Sequence, residues 1–245
     1  SAQDLVQPIP YAPLQERDVA FVKKVERIID LRQKPNLVLK HPRMHLGNFI
    51  YDLALKGEIL PYMNDSFTQF YDGKTFKEIG SSEEVVYVYD EQIGADVEAA
   101  EPIVEPFNFE QRVMKFKVIE EWYFDKQSST YFPRIVGIAP LYVPIIAGQK
   151  LPEMPLCYFK YEELRPYLVN FEIFNKSNQS ASAQISADHF FQKRLFSSFV
   201  SKEWNVWDLP IAQLSEFKDD GIKALLEANR IKNDMINFEH DLWEY

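Results

Sequence analysis

Carboxylates, aromatic rings and basic side chains crowd into one stretch of the sequence, "KVIEEWYFDKQSSTYFPRIVGIAP" at residues 117–140. Its three acids, Glu120, Glu121 and Asp125, are candidates for the general acid–base chemistry that cleaves a glycosidic bond. Such cleavage requires two carboxyl groups that lie either about 5 Å or about 6.5–9.5 Å apart. The backbone conformation decides whether any two of the three acids meet that requirement.

If residues 115–125 form a strand, successive side chains alternate between the two faces of a sheet. Glu120 and Glu121 then point to opposite sides and cannot act on one bond. Glu121 and Asp125 share a face, but four residues of strand separate them by roughly 13 Å. The spacing argues against paired catalysis. A secreted hydrolase that uses Glu121 or Asp125, with a partner from elsewhere in the chain, is kept as an alternative function.

A β-hairpin accounts for the same residues. A loop centred on residues 127–128 places Glu121 opposite Arg134. A register that differs by one residue places Arg134 opposite Glu120, on the aromatic face of the strand. Because an unpaired carboxylate on that face would be costly, we expect Arg134 to neutralise either Glu121 or Glu120 as a structural ion pair.

Metal and nucleophile chemistry have weaker support. His41 and His45 have the spacing that places two ligands on one helical face, but Pro42 moves His41 out of the helical region. The single cysteine, Cys157, has no catalytic motif around it, and the eight glycines form no phosphate-binding loop. The sequence therefore predicts no metal, no cofactor and no catalytic residue.

The aromatic composition fits either a well-filled core or a subunit with extensive contacts. Aromatic residues make up 15% of the 245 residues, and large aromatics dominate both cores and interfaces. Ten of the 37 acids lie between Lys77 and Arg112, where no basic residue occurs; the 27 that remain equal the 27 bases. Neither part has the basic surface that nucleic acid requires, so nucleic-acid binding is excluded as a function class.

The pattern along the chain predicts a single α+β domain at 16–245 with an extended N-terminal arm at 1–15, which contains three prolines. The arm is either a free terminus or a segment that docks on a neighbour. Helices are predicted at 17–36, where valines and isoleucines recur at helical spacing, and at 44–57, which ends at a glycine. An acidic loop is predicted at about 90–106.

The rest of the domain is predicted to contain an antiparallel sheet with a central hairpin at about 115–143, flanked by helices. Asn108 is expected to cap one helical turn, and Ser186 to cap an aromatic-rich helix. A long C-terminal helix is predicted at 221–245, where apolar residues form an unbroken stripe.

Six aromatic residues are candidates for contact with a partner: Tyr11, Trp122, Phe124, Trp204, Trp207 and Trp243. Such residues are either core residues or anchors of an interface. The longest apolar run, at 135–148, is shorter than the roughly 18 residues of a membrane-spanning helix and contains two prolines, so no direct membrane span is expected.

Several stretches of the sequence resemble one family. The segments "IEEWYFDKQSSTYFPRIVGIAP", "DHFFQKRLFSSFVSKEWNVWD" and "EANRIKNDMINFEHDLWEY" are similar to the gliding-motility protein GldN and its secretion counterpart PorN. The segment "VKKVERIIDLRQKPN" is similar to the opening helix of that family, and the resemblance runs from about Arg17 to Tyr245. The first residues, "SAQ", are similar to the end of a secretory cleavage site and agree with export.

The resemblance implies a non-enzymatic structural subunit of the type IX secretion and gliding-motility machinery. It implies a periplasmic protein that forms rings beneath the outer membrane with a lipoprotein of the GldK or PorK type and with copies of itself. It also implies contact with the periplasmic domain of an inner-membrane motor protein of the GldM or PorM type. The alternative is a peptide- or cargo-binding module of the same pathway.

Overall fold

A computed structural model describes residues 6–11, 13, 19–41, 44–79, 82–84, 87–90, 94–98, 103–105, 107–125, 130–146, 149–174 and 184–203. The predicted helix at 221–245 lies outside these described residues, as do the contact candidates Trp204, Trp207 and Trp243.

The described residues contain both strands and helices. The strands are β1 (Val19–Asp30), β2 (Lys40–His41), β3 (Met44–His45), β4 (Ser82–Glu84), β5 (Tyr87–Asp90), β6 (Ala95–Glu98), β7 (Ile103–Glu105), β8 (Lys115–Asp125), β9 (Thr130–Tyr142), β10 (Ile145–Ile146), β11 (Gln149–Lys150), β12 (Met154–Pro155), β13 (Phe159–Lys160), β14 (Glu172–Phe174), β15 (Gln184–Ser186) and β16 (Phe199–Glu203). The α-helices are α1 (Leu46–Leu55), α2 (Gly73–Glu78), α3 (Phe109–Arg112), α4 (Tyr161–Leu168) and α5 (Ala187–Gln192), and a 3-10 helix spans Lys34–Leu39.

An antiparallel sheet organises these elements. Its strand order is β12, β9, β8, β1 and β16, and β13 also pairs with β9. Strands β8 and β9 pair along eleven positions in a register that places Glu121 opposite Arg134. Mixed helices and an antiparallel sheet confirm the predicted α+β class.

The first predicted helix, at 17–36, is wrong: its residues form β1, which pairs with β8 on one side and β16 on the other. The spacing of four residues between Val25 and Ile29 does not distinguish a helix from a strand, because in a strand residues separated by an even number lie on the same face. Val25 and Ile29 therefore share one face of a strand as well as one face of a helix, and both are fully buried. A run rich in valine and isoleucine also favours a strand flanked by two neighbours.

The acidic stretch at 90–106 also differs from the predicted loop. It contains β6 and β7, which pair with β5 and β4 respectively. Gly94 turns the chain between β5 and β6 with a φ of +70°, a value that favours glycine. In the described register no acid lies directly opposite another acid.

Helices on the sheet enclose one hydrophobic core. Helix α1 buries Leu46 and Ile50, and the chain leaves it through Gly57 with a φ of +75°, as its predicted end requires. The predicted caps are confirmed: Asn108 Oδ1 accepts from the backbone N–H of α3, and Ser186 Oγ does the same for α5. The largest fully buried rings of the core belong to Phe76, Phe116, Phe159, Tyr161 and Phe191.

Gly47 tests how tightly α1 packs on α3. A Cβ at this position would lie 2.7 and 2.9 Å from ring carbons of Phe109, which is only 3% exposed. We expect Gly47→Ala to lower the free energy of unfolding by about 1–2 kcal/mol, because overpacking outweighs the gain in helix propensity. Urea unfolding measures the change.

The matched control is Gly73→Ala at the start of α2, where an added Cβ meets nothing within 4 Å. We expect its stability to be unchanged or to rise by up to about 1 kcal/mol. Equal stability of the two variants would contradict the close contact between Gly47 and Phe109.

Candidate interaction site

Glu120 occupies the interior of the sheet. Its carboxylate is fully buried, since alternation along β8 turns it to the same side as Val118 and Trp122. Arg27 on β1 donates from Nε to Glu120 Oε2 at 2.8 Å, and Arg194 donates from Nη2 to Oε1 at 2.6 Å. Trp122 Nε1 also donates to Oε2 at 2.9 Å. Both carboxylate oxygens are thus engaged, which suits a structural group rather than a catalytic base.

The two arginines of this cluster are held by more than the carboxylate. Each guanidinium lies near the Trp122 ring, Arg27 at 5.7 Å and Arg194 at 5.4 Å from the ring centroid. Burial lowers the pKa of Arg194 below its usual range, although Glu120 opposes this shift. Arg194 adopts a φ of +54°, a left-handed conformation just beyond α5 that is costly for a residue with a side chain. The cluster therefore fixes the end of α5 against β1 and β8.

The opposite face of β8 carries a different set of side chains. The Tyr123 hydroxyl donates to the Glu121 carboxylate, and burial together with this carboxylate raises the pKa of Tyr123 to about 12. The Arg134 guanidinium stacks over Tyr123 at 5.3 Å and over Tyr11 of the arm at 5.1 Å. Pairing of Arg134 with Glu121, or with Glu120, stays a prediction.

A cavity of about 660 Å³ opens beside these residues. It lies between Tyr11 of the arm, Glu121 and Tyr123 of β8, Arg134 of β9 and Phe67 of the loop at 64–68. Its lining mixes both charge signs with aromatic rings, a composition that suits contact with a polypeptide.

Phe67, which lines this cavity, packs against a glycine of β9. A Cβ at Gly137 would lie 2.5 Å from Cζ of Phe67, so only glycine lets this ring rest on β9. At the rim, Lys24 Nζ contacts Asp65 Oδ2 at 2.7 Å. Burial raises the pKa of Asp65, but Lys24 outweighs it and holds that pKa below its usual value. A lowered pKa does not suit the general acid of a hydrolase.

A second buried ion pair joins α4 to α5. Arg165 donates from Nε and Nη2 to the two oxygens of Asp188 at 3.0 and 3.1 Å. The Tyr161 hydroxyl donates to the same carboxylate at 3.0 Å. Arg165 Nη2 also donates to the carbonyl of Ile9 at 2.6 Å, so the pair reaches the arm. Two parallel N–H bonds to one carboxylate make this one of the stronger types of protein ion pair.

The predicted contact candidates fall in different places. Tyr11 lines the cavity, whereas Trp122 is 8% exposed and belongs to the Glu120 cluster. Phe124 lies in β8 opposite Tyr131, and its role as a contact residue stays a prediction. Sequence reasoning missed the arginines at 27, 165 and 194 and the acid at 188. The available signal was an arginine within an apolar segment, which needs a buried partner.

His41, His45 and Cys157, which were considered for metal or nucleophile chemistry, all lie within the described parts of the chain. His41 and His45 lie on β2 and β3 rather than on a helix, and the described residues contain no group of three or more histidines, cysteines or acids placed to hold a metal. Cys157 is buried, and burial raises its pKa well above the usual value, which suppresses the thiolate that a nucleophile requires. No helix in the described parts of the chain is long and apolar enough to cross a membrane.

The described residues thus define an α+β protein with structural charge clusters and a cavity lined for contact. The family described as gliding motility associated protein GldN matches residues 14–244, and the chain belongs to this family. Membership makes it a component of the gliding-motility and type IX secretion machinery. Among curated proteins, no sequence matches the chain.

Glu120 is the subject of the first site prediction. Glu120→Gln removes the negative charge between buried Arg27 and half-buried Arg194 and leaves two cations without a counter-charge. We expect the free energy of unfolding to fall by about 3–5 kcal/mol, as measured by chemical denaturation at pH 7. Glu121→Gln, one residue along the strand and half-buried, is the control and should cost about 1 kcal/mol or less. Losses of equal size would count against the special role of the buried carboxylate.

His45 predicts a dependence of stability on pH. Its Nδ1 accepts from the backbone N–H of Asn48 at 3.3 Å and caps α1, and the residue is 4% exposed. Burial lowers the pKa of His45, with Glu110 opposing and Lys40 assisting the shift. His45 therefore binds a proton more readily in the unfolded chain than in the folded chain.

The stability conferred by neutral His45 is complete above its unfolded pKa of about 6.5 and is lost as pH falls towards the lower folded pKa. His45→Asn keeps a capping side chain and removes the titration. We expect the free energy of unfolding to fall less steeply between pH 7.5 and 5.5 in this variant than in the wild type. Identical slopes in urea titrations would refute the assignment.

Proposed function

We propose that this protein is a non-enzymatic, periplasmic structural subunit of the type IX secretion and gliding-motility machinery. It associates with an outer-membrane lipoprotein of the GldK or PorK type and with copies of itself in a ring. It also contacts the periplasmic domain of a motor protein of the GldM or PorM type. The observation that carries the proposal is the family match over nearly the whole chain, at residues 14–244.

The site geometry supports a structural role over catalysis. Three described acids line the cavity, and two of them have partners: Asp65 pairs with Lys24, and Glu121 accepts from Tyr123, while the third is Glu162. Glu120 is enclosed by three donors and has no contact with solvent. The described contacts of Glu121 therefore give the hydrolase no support, and the side chain of Asp125 lies outside the described part of the structure.

A cargo-binding module is the second candidate, and the cavity of about 660 Å³ is the observation that favours it. Its volume falls within the range of sites that hold small ligands or peptide side chains. A cargo binder would bind a secreted substrate protein through this cavity, and Tyr123→Ala would weaken that binding. A ring subunit has its contact surfaces distributed around the molecule, and the same variant would leave assembly largely intact.

Particle mass tests the proposed function. The purified protein is mixed with the soluble part of the lipoprotein, and the mass and shape of the particles are measured by light scattering and electron microscopy. We expect closed rings of many copies, because a heterologous interface between identical subunits closes into a ring when its rotation permits. An unrelated periplasmic lipoprotein is the control. A small complex of fixed stoichiometry would overturn the ring assignment.

A further inference from the structure

Residues 6–11 belong to the N-terminal segment predicted at 1–15 and are called the arm from here on. The arm lies against the body of the protein without forming a helix or a strand. It is held at its first residue by a single side chain. The backbone N–H of Val6 donates to Asn170 Oδ1 at 3.1 Å, and Asn170 Nδ2 donates to the Val6 carbonyl at 3.0 Å. One amide group thus satisfies both backbone groups of Val6, as a neighbouring strand would.

The middle and end of the arm are held by arginines. Arg165 Nη2 donates to the Ile9 carbonyl at 2.6 Å, and the same guanidinium lies 4.6 Å from the centroid of the Tyr11 ring. Arg134 stacks on this ring at 5.1 Å. The Tyr11 hydroxyl accepts from Gln192 Nε2 at 2.9 Å and donates to a carbonyl of β9 at 3.5 Å. Tyr11 anchors the arm, and the side chains that surround its ring form a groove.

The groove contacts the backbone of the arm and the Tyr11 ring, and most of the other side chains of the arm are exposed. Val6 is 60% exposed and Ile9 is 83% exposed. Pro8 and Pro10 restrict the arm to extended conformations before it docks, so little conformational entropy is lost on binding. These are the features of a site for an extended peptide.

None of these contacts requires the arm and the groove to belong to one chain. The groove residues Asn170 and Gln192 lie 164 and 181 positions from their partners in the arm. Exchange of an identical element between copies preserves every contact, so its energetic cost is low. When copies are held side by side, the local concentration of a neighbouring arm reaches the millimolar range, so that it competes with the chain's own arm for the groove.

We propose that the groove formed by Arg134, Arg165, Asn170 and Gln192 is a docking site for the arm of a second copy of this chain, so that neighbouring copies exchange their arms. The occupant is residues 6–11 of that copy, anchored by its Tyr11. This inference rests on the proposed function in one respect, since the ring is what holds copies side by side. The arm and its groove are present in the single chain regardless.

Isotope-coded cross-linking tests the exchange. A photo-reactive amino acid replaces Ile9, whose side chain is exposed while its carbonyl makes the contact. Heavy-isotope and unlabelled full-length chains are mixed in equal amounts, assembled with the lipoprotein and irradiated, and the cross-linked peptides are read by mass spectrometry. Complete exchange gives arm-to-groove cross-links of which about half join a heavy chain to a light one. Cross-links confined to single chains would overturn the exchange.

Two controls keep the outcome specific. The photo-reactive residue at Leu37, which is 51% exposed on the 3-10 helix, reports chance encounters between copies. Asn170→Ala removes both bonds to Val6 and should reduce arm-to-groove cross-links at least about fivefold. Undiminished cross-links in this variant, or mixed cross-links no more frequent than at Leu37, would reject the site.

The exchange and the ring fail separately. If no ring forms with the lipoprotein, the proposed function fails, and the same cross-linking is carried out on the protein alone over a range of concentrations. Exchange then requires mixed cross-links that increase with concentration, and their absence rejects it. If rings form and contain only single-chain cross-links, the proposed function stands and the exchange is wrong.

Discussion

The structure depends on a single buried carboxylate. Glu120 has no contact with solvent, and an ionised carboxylate in such a place is tolerated only when cations and hydrogen-bond donors surround it. Arg27 from β1, Arg194 from beyond α5 and Trp122 from β8 supply them. The requirement joins three parts of the chain that are far apart in sequence. A fold that separated both arginines from β8 would leave the buried Glu120 carboxylate without a counter-charge.

The sheet is irregular at the level of this carboxylate. The pairing of β8 with β9 skips Val136 next to Glu120, and the pairing of β1 with β16 skips Ser201 next to Arg27. An extra residue in one strand bends it and changes the direction of nearby side chains. Between the two irregularities β1 and β8 pair in regular register, with Val25 opposite Glu120, so Arg27 is a diagonal neighbour of Glu120 and its Nε lies 2.8 Å from Glu120 Oε2. Next to the irregularity in β9, Arg134 and Ile135 line the cavity together with Tyr11 of the arm.

Sequence patterns predicted part of this arrangement for a physical reason. Alternation along β8 depends only on local geometry, and it placed Glu120 on the side of Trp122, where the structure buries it. The partners of Glu120 were not predictable in the same way. Arg27 lies in a segment whose apolar spacing fits both a helix and a strand. Its pairing with β8, which the spacing does not reveal, makes it a strand. Arg194 reaches the carboxylate from a left-handed conformation that no glycine announces in the sequence.

The Glu120 cluster also limits how this chain can change over generations. Loss of Glu120 alone leaves two arginines without a counter-charge. Loss of one arginine leaves a neutral pair with Glu120, and loss of the second arginine then leaves the buried carboxylate unpaired. An apolar trio of similar volume could fill the same space with equal or greater stability, yet single steps do not lead there. Every route of single substitutions from the charged trio to the apolar one therefore passes through a less stable variant.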